Sequence, residues 1–104
     1  MASPRWTIGA RGDLREAVAY IAGDSPTYAA ATARRLIAAV DRLERHPRLG
    51  RAVPEYRMPS LRELIQGSYR VGYKIEDREV VILAIVHGSQ DLLRHLGDEP
   101  WNLE

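Results

Sequence analysis

Three side chains in this sequence have the types needed to cleave a phosphodiester: Glu55, Arg70 and His87. Attack of a ribose 2′-hydroxyl on its own phosphate needs a base for the hydroxyl proton, a cation for the crowded phosphate and an acid for the leaving oxygen. A carboxylate, a guanidinium and an imidazole nominally fill those roles, but each also has a plainer use. A histidine at a strand end commonly hydrogen-bonds nearby backbone, an arginine on the polar side of a strand is commonly solvated, and a glutamate after Pro54 reads as a loop carboxylate. Arg62 and Glu63 are adjacent in an extended segment and project to opposite faces, so they cannot both serve one site. Tyr69 and Tyr73 share an apolar face and read as core, while Arg48 and Arg51, flanking Gly50, read as surface charge.

Composition narrows the remaining classes. At 104 residues, with 45% hydrophobic and 28% charged side chains and no low-complexity tract, the chain suits a single globular domain over 1–104, with 97–104 as a tail. The absence of cysteine excludes a disulfide scaffold, a thiol nucleophile and cysteine-ligated zinc. His46, His87 and His95 are too scattered for a metal site, so neither metal nor cofactor is expected. No segment approaches the roughly 20 apolar residues of a membrane span, and no signal peptide is recognisable, which places the expected location in the cytoplasm. Net charge is only +1, so the whole-molecule field makes no case for nucleic acid. The bias is in type: Lys74 is the only lysine among fifteen cationic residues.

The elements that must position these groups follow from periodicity. Residues 5–8 read as a short strand with Trp6 and Ile8 on one face. Leu14, Ala17, Val18 and Ile21 fall at helical spacing until Gly23, and Ser25-Pro26 restart the chain as cap and first helical residue. A second helix carries Ala29, Ala33, Leu36, Ile37, Val40 and Leu43 on one stripe until Pro47 ends it. Residues 47–59 read as an irregular loop. Residues 61–66 read as a strand closed by Gly67-Ser68, after which Tyr69, Val71, Tyr73 and Ile75 alternate with Arg70, Gly72, Lys74 and Glu76, giving one apolar face and one basic, open face. Residues 80–86 are unbroken apolar, as in a strand buried on both faces. Ser89 can cap a short helix through Leu96, and Gly97 ends it. The predicted fold is α+β: an N-terminal strand, a helical hairpin, a three-stranded antiparallel meander and a short C-terminal helix. The two helices lie on one sheet face and the other face is largely free.

That order resembles the RelE/ParE toxin superfamily over about residues 6–92. The resemblance is carried by Asp13-Leu14 with Tyr20-Ile21 and Ser25-Pro26, by Pro47-x-x-Gly50-Arg51 with Val53-Pro54-Glu55, by Arg62-Glu63-Leu64, by Tyr69-Arg70-Val71 with Tyr73, and by Val86-His87-Gly88. It implies the toxin of a type II toxin–antitoxin system, with a ParD-like or similar antitoxin as partner in a hetero-oligomer. Its ParE branch is associated with DNA gyrase inhibition, growth arrest and plasmid stabilisation, its RelE branch with messenger RNA cleavage on the ribosome.

The residues favour the ParE branch. Arg70 matches the strand arginine of the nucleases and Glu55 lies near their carboxylate. The nucleases, however, usually add a basic cluster and a tyrosine or histidine-tyrosine pair after the last strand. Here that segment is His87-Gly88-Ser89-Gln90-Asp91, with no tyrosine beyond Tyr73. The expectation is a binding poison without chemistry of its own, Arg70, His87 and Glu55 being catalytic only in the nuclease alternative. Arg62, Arg70, Trp101 and Leu103 are the expected partner-binding residues, the last two as large apolar side chains in an otherwise polar tail.

Overall fold

The computed structural model describes residues 3–88 and 90–97. Strand β1 (Arg5–Trp6) leads into helix α1 (Ile8–Ala22), followed by α2 (Pro26–Asp41) with a 3₁₀ turn over Arg42–Glu44. Strands β2 (Arg51–Ala52), β3 (Leu61–Gln66), β4 (Tyr69–Glu76) and β5 (Glu79–His87) come next, then α3 (Leu92–Leu96). The fold is α+β, with a mixed five-stranded sheet in the order β1-β5-β4-β3-β2.

Local chemistry explains most boundaries. The Thr7 hydroxyl accepts from Ala10 N at 3.1 Å and so starts α1 there. Ile8 therefore opens the helix instead of extending the strand as expected, and it is 82% exposed. Ser25 caps α2 through Tyr28 N, with Pro26 as its first residue, as the sequence indicated. The two-residue turn at Gly67-Ser68 aligns Gln66 with Tyr69. Gly67 takes a φ of +59°, open to glycine at no steric cost. Gly97, which follows α3, has a φ of +82°.

The core on the helix side contains Leu36, Val40 and Leu43 of α2 and its extension against Leu64, Val71, Tyr73, Ile82 and Ile85. Ile37, expected on that stripe, is 43% exposed, and Ala39 is buried in its place. Strand β5 carries one extra residue: Gly72 faces Ala84 and Tyr73 faces Ile82, leaving Leu83 as a bulge. The bulge shifts the alternation, so Leu83 and Ala84 both contribute to the face away from the helical hairpin.

That second face differs from expectation. It is covered by Val53, Tyr56 and Met58 from the 53–60 segment and by Leu92 and Leu96 of α3. Residues 47–59 also contain β2, which pairs Arg51 with Glu63 and Ala52 with Arg62. Gly72 makes room for α3, because a Cβ there would already stand 3.4 Å from a Leu92 methyl.

Candidate functional site

The hairpin register brings the charged residues together. Glu63 lies opposite Gly72, and Ile65 opposite Arg70, so Glu63 and Arg70 are diagonal neighbours on one face. Arg70 is only 8% exposed and Glu63 only 1%, which corrects the expectation of an open, solvated arginine. Lys74, on the same strand, is likewise buried and reaches Glu76 at 2.9 Å, so this side of β4 is basic but not open.

Every N–H of the Arg70 guanidinium is used within the chain. Nε donates to both Glu63 carboxylate oxygens at 3.1 and 2.9 Å. Nη1 donates to Glu55 Oε2 at 3.1 Å and to the Gln90 carbonyl at 2.9 Å. Nη2 donates to Glu55 Oε1 at 2.9 Å and to Glu63 Oε1 at 2.8 Å. A guanidinium has five such hydrogens, so none is left for a phosphate oxygen. Glu55 in turn accepts from Leu92 N at 3.1 Å, supplying the first turn of α3 with a cap from a distant loop. Arg51, on the exposed side, approaches Glu63 at 3.4 Å. The result is a charge knot that ties the 55 loop, β3, β4 and α3 together.

Hydrogen bonding from Arg70 is the main cause holding the Glu55 carboxyl below its usual range, with the Leu92 amide adding to it against the opposing effect of burial. The same bond to Glu55, and next that to Glu63, raises Arg70 further. Both groups are therefore fixed in their charged forms at neutral pH.

His87 is not part of this knot. Tyr69 and His87 are cross-strand partners, as are Arg70 and Val86, so neighbouring positions on β4 and β5 send His87 to the face opposite Arg70. The His87 ring meets the edge of Tyr69 at 5.9 Å between centroids, and its backbone N–H donates to Gln90 Oε1. The three groups that nominally compose a nuclease are thus split, Glu55 with Arg70 on one side and His87 on the other.

Arg62 points away from Glu63 as expected, and its Nη1 donates to the Gly50 carbonyl at 2.7 Å. Gly50 N donates to the Tyr73 hydroxyl at 3.0 Å, and that hydroxyl donates to the Pro47 carbonyl at 2.7 Å. A Cβ on Gly50 would come within 2.8 Å of Tyr73 Oη and closer still to the Glu63 carbonyl, so only glycine fits. Burial raises the Tyr73 phenol above its ordinary value, which keeps it a neutral donor. Trp101 and Leu103 lie outside the described residues. Sequence reasoning missed Glu63, although a signal existed: a two-residue turn at Gly67-Ser68 already fixes Glu63 diagonal to Arg70.

A third cluster lies along the edge of β5. β1 pairs only with Val81 and Ile82, and beyond it Asp13 of α1 accepts from Ile85 N at 3.0 Å and from His95 at 2.9 Å. Among the described residues, no group of acidic, histidine or cysteine side chains could hold a metal ion, and no helix is long and apolar enough to cross a membrane.

Residues 5–92 match the family model described as the ParE toxin of the type II toxin–antitoxin system parDE. A Sinorhizobium fredii protein that carries the name "Putative toxin Y4kP" is 40% identical over 88 residues, covering 83% of this chain and 88% of that protein. A chain from the chromosomal ParDE TA system of P. aeruginosa shares the fold with a TM-score of 0.69 at 23% identity, over 84% of this chain and 96% of that one.

Proposed function

The chain belongs to the ParE toxin family of type II toxin–antitoxin systems, and from that premise we propose that it arrests growth by binding DNA gyrase and performs no chemistry of its own. The observation that carries the non-catalytic part is the saturated Arg70. A cation that stabilises a transition state must present free donors where charge develops, and Arg70 spends all of its donors on Glu55, Glu63 and Gln90. His87, the nominal acid, projects from the other face. The gyrase target rests on the ParE branch of the resemblance.

The proposed partner in the resting cell is an antitoxin encoded beside this gene, which forms a hetero-oligomer with the toxin in the cytoplasm. It would lay an amphipathic helix or extended segment over exposed apolar side chains such as Tyr20, Tyr28 and Ile65.

The test is a gyrase supercoiling assay with the purified full chain, run beside a ribosome-dependent messenger RNA cleavage assay. Loss of supercoiling, restored by adding the antitoxin, is the expected result, with no cut at A-site codons. Codon-positioned cleavage with untouched supercoiling would replace this reading by the nuclease one.

A further inference from the structure

The outer side of α2 has an unusual charge pattern. The only acidic residue of the helix is its last, Asp41, and its exposed positions include Ala30, Arg34, Arg35 and Ala38 beside the larger Tyr28 and Ile37. Arg34 and Arg35 stand mid-helix, Arg42 and Arg45 continue on the 3₁₀ turn and just past it, and Arg48 follows in the next loop. All five are exposed, and none has a side-chain hydrogen bond or ion pair among the described residues. Across 34–51 there are six arginines against Asp41 and Glu44, a local balance of 6 − 2 = +4 in a chain whose total is +1.

A favourable interaction with the helix dipole accounts for arginines near a C-terminus but not for Arg34 and Arg35 in the middle. Surface arginines kept for solubility are ordinarily interspersed with carboxylates three or four positions away. Arg34 and Arg35 have alanine at both i−4 and i+4. Ala30, Ala31, Ala38 and Ala39 keep the surface low around Arg34 and Arg35, with Ile37 and Asp41 the larger exposed side chains between them and Arg45, and the arginines outnumber the carboxylates for an approaching polyanion.

We infer that this arginine stripe binds the phosphate backbone of double-stranded DNA. From Arg34 to Arg45 it is about 16 Å long at helical rise, which spans roughly five phosphates of one B-form strand. Guanidinium forks suit bidentate contact with phosphate oxygens. The choice of duplex DNA rests on the proposed gyrase target, an enzyme whose substrate is duplex DNA. The stripe would then grip the DNA segment beside the gyrase surface.

The experiment measures binding of the full chain to a short labelled DNA duplex, by fluorescence anisotropy across a salt series. Four or five phosphate contacts give a log–log salt slope of roughly −3.5 to −4.5. Changing Arg34, Arg42 and Arg45 together to alanine removes about three from that slope, while changing the same three to lysine retains it. Because all three are exposed, circular dichroism should show the alanine variant folded. In the supercoiling assay the alanine variant should inhibit less than the wild type.

Absent DNA binding, or an alanine variant with an unchanged slope, overturns the inference. So does an RNA duplex bound more tightly than DNA, or an alanine variant that loses only antitoxin affinity, which would assign the stripe to an acidic protein segment. Undiminished gyrase inhibition by the alanine variant overturns it while leaving the gyrase reading standing. DNA binding that depends on the stripe in a wild-type chain that leaves supercoiling untouched supports the stripe and removes the gyrase reading.

Discussion

On the helix side of the sheet, Val71, Tyr73, Ile82 and Ile85 meet Leu36, Val40 and Leu43 in a core that includes no charged side chain. On the other side, β4 presents Arg70 and Lys74, both buried, and the centre of that face is the knot with Glu63 and Glu55. The first side is held by apolar burial, which is non-directional and scales with area. The second is held by directional bonds, each of which must be made, because an unpaired buried charge costs several kcal/mol. The apolar clusters beside the knot are small, built on Val53 and Leu92 in one place and Leu61 and Leu83 in the other. The contrast locates the fold's charge sensitivity in the attachment of α3 and the 55 loop, while the helical hairpin depends on packing.

The sharpest way to break this comparison is Arg70→Ala. It strands the Glu63 carboxylate, which is fully buried and has only an exposed Arg51 at 3.4 Å in compensation. Loss of one partner from a buried pair costs about 3–5 kcal/mol, and chemical denaturation should read a loss in that range. The double variant Glu63→Leu with Arg70→Met should lose less than Arg70→Ala, since it leaves no buried carboxylate without a partner. A loss below about 1 kcal/mol for Arg70→Ala would mean that the charges are solvated after all. This variant also bears on function: reduced toxicity on this substitution is a folding effect, and ribosome binding or cleavage assays cannot interpret it unless stability is measured beside them.

The apolar face is probed by Leu36→Ala, expected to cost about 2–5 kcal/mol through lost burial and the cavity left behind. Its cost should stay constant across the acid range, because the titratable side chains around that core, Tyr69 and Tyr73, are phenols that stay protonated there. A pH-dependent penalty would show that the two faces are coupled through the strands. A smaller effect is expected at Tyr73, which belongs to the apolar core by its ring and to the 47–50 loop by its hydroxyl. Tyr73→Phe leaves the Gly50 amide and Pro47 carbonyl without that partner and should cost about 1–3 kcal/mol. Faster amide exchange at Gly50 is the specific readout.

The same division decides what could be read from the sequence. The apolar side was legible: helical spacing marked α2, the Ser25-Pro26 cap marked its start, the Gly67-Ser68 turn marked the end of β3, and alternation marked β4 in the right phase. Alternation says which residues share a face but not whether that face is covered. Alternation therefore leaves Arg70 on a polar, open face, while the covering residues come from an irregular loop, Val53 and Tyr56, and from a five-residue helix, Leu92, too short for its pattern to say what it covers. Strand β2 has two residues and no periodicity to detect. At Ile8 the alternation with Trp6 suggested a strand, and the Thr7 cap, which accepts from Ala10 N, prevailed. The knot itself lay within reach, because the short Gly67-Ser68 turn fixes the hairpin register. What the register could not supply was Glu55, whose approach depends on the path of an irregular loop.

The smallest expected effect concerns Glu55, and its sign follows from its lowered pKa. The carboxylate is favoured in the folded state below its ordinary value of 4.5. Its contribution is therefore fully present above that value and is lost as pH falls through the lower folded pKa. The side chain is 21% exposed, so solvent screening keeps the contribution modest. Glu55→Gln keeps a carbonyl for the Leu92 amide but loses the charge opposite Arg70. Wild type should be the more stable of the two at neutral pH, and the gap should close on acidification below about 4.5. Because Glu55 caps α3, the neutral-pH loss should appear first in amide exchange over 92–96, before it registers in global unfolding. A gap that persists unchanged into acid would mean that Glu55 holds α3 by shape and hydrogen bonding alone, and the charged face would then rest on Glu63 and Arg70.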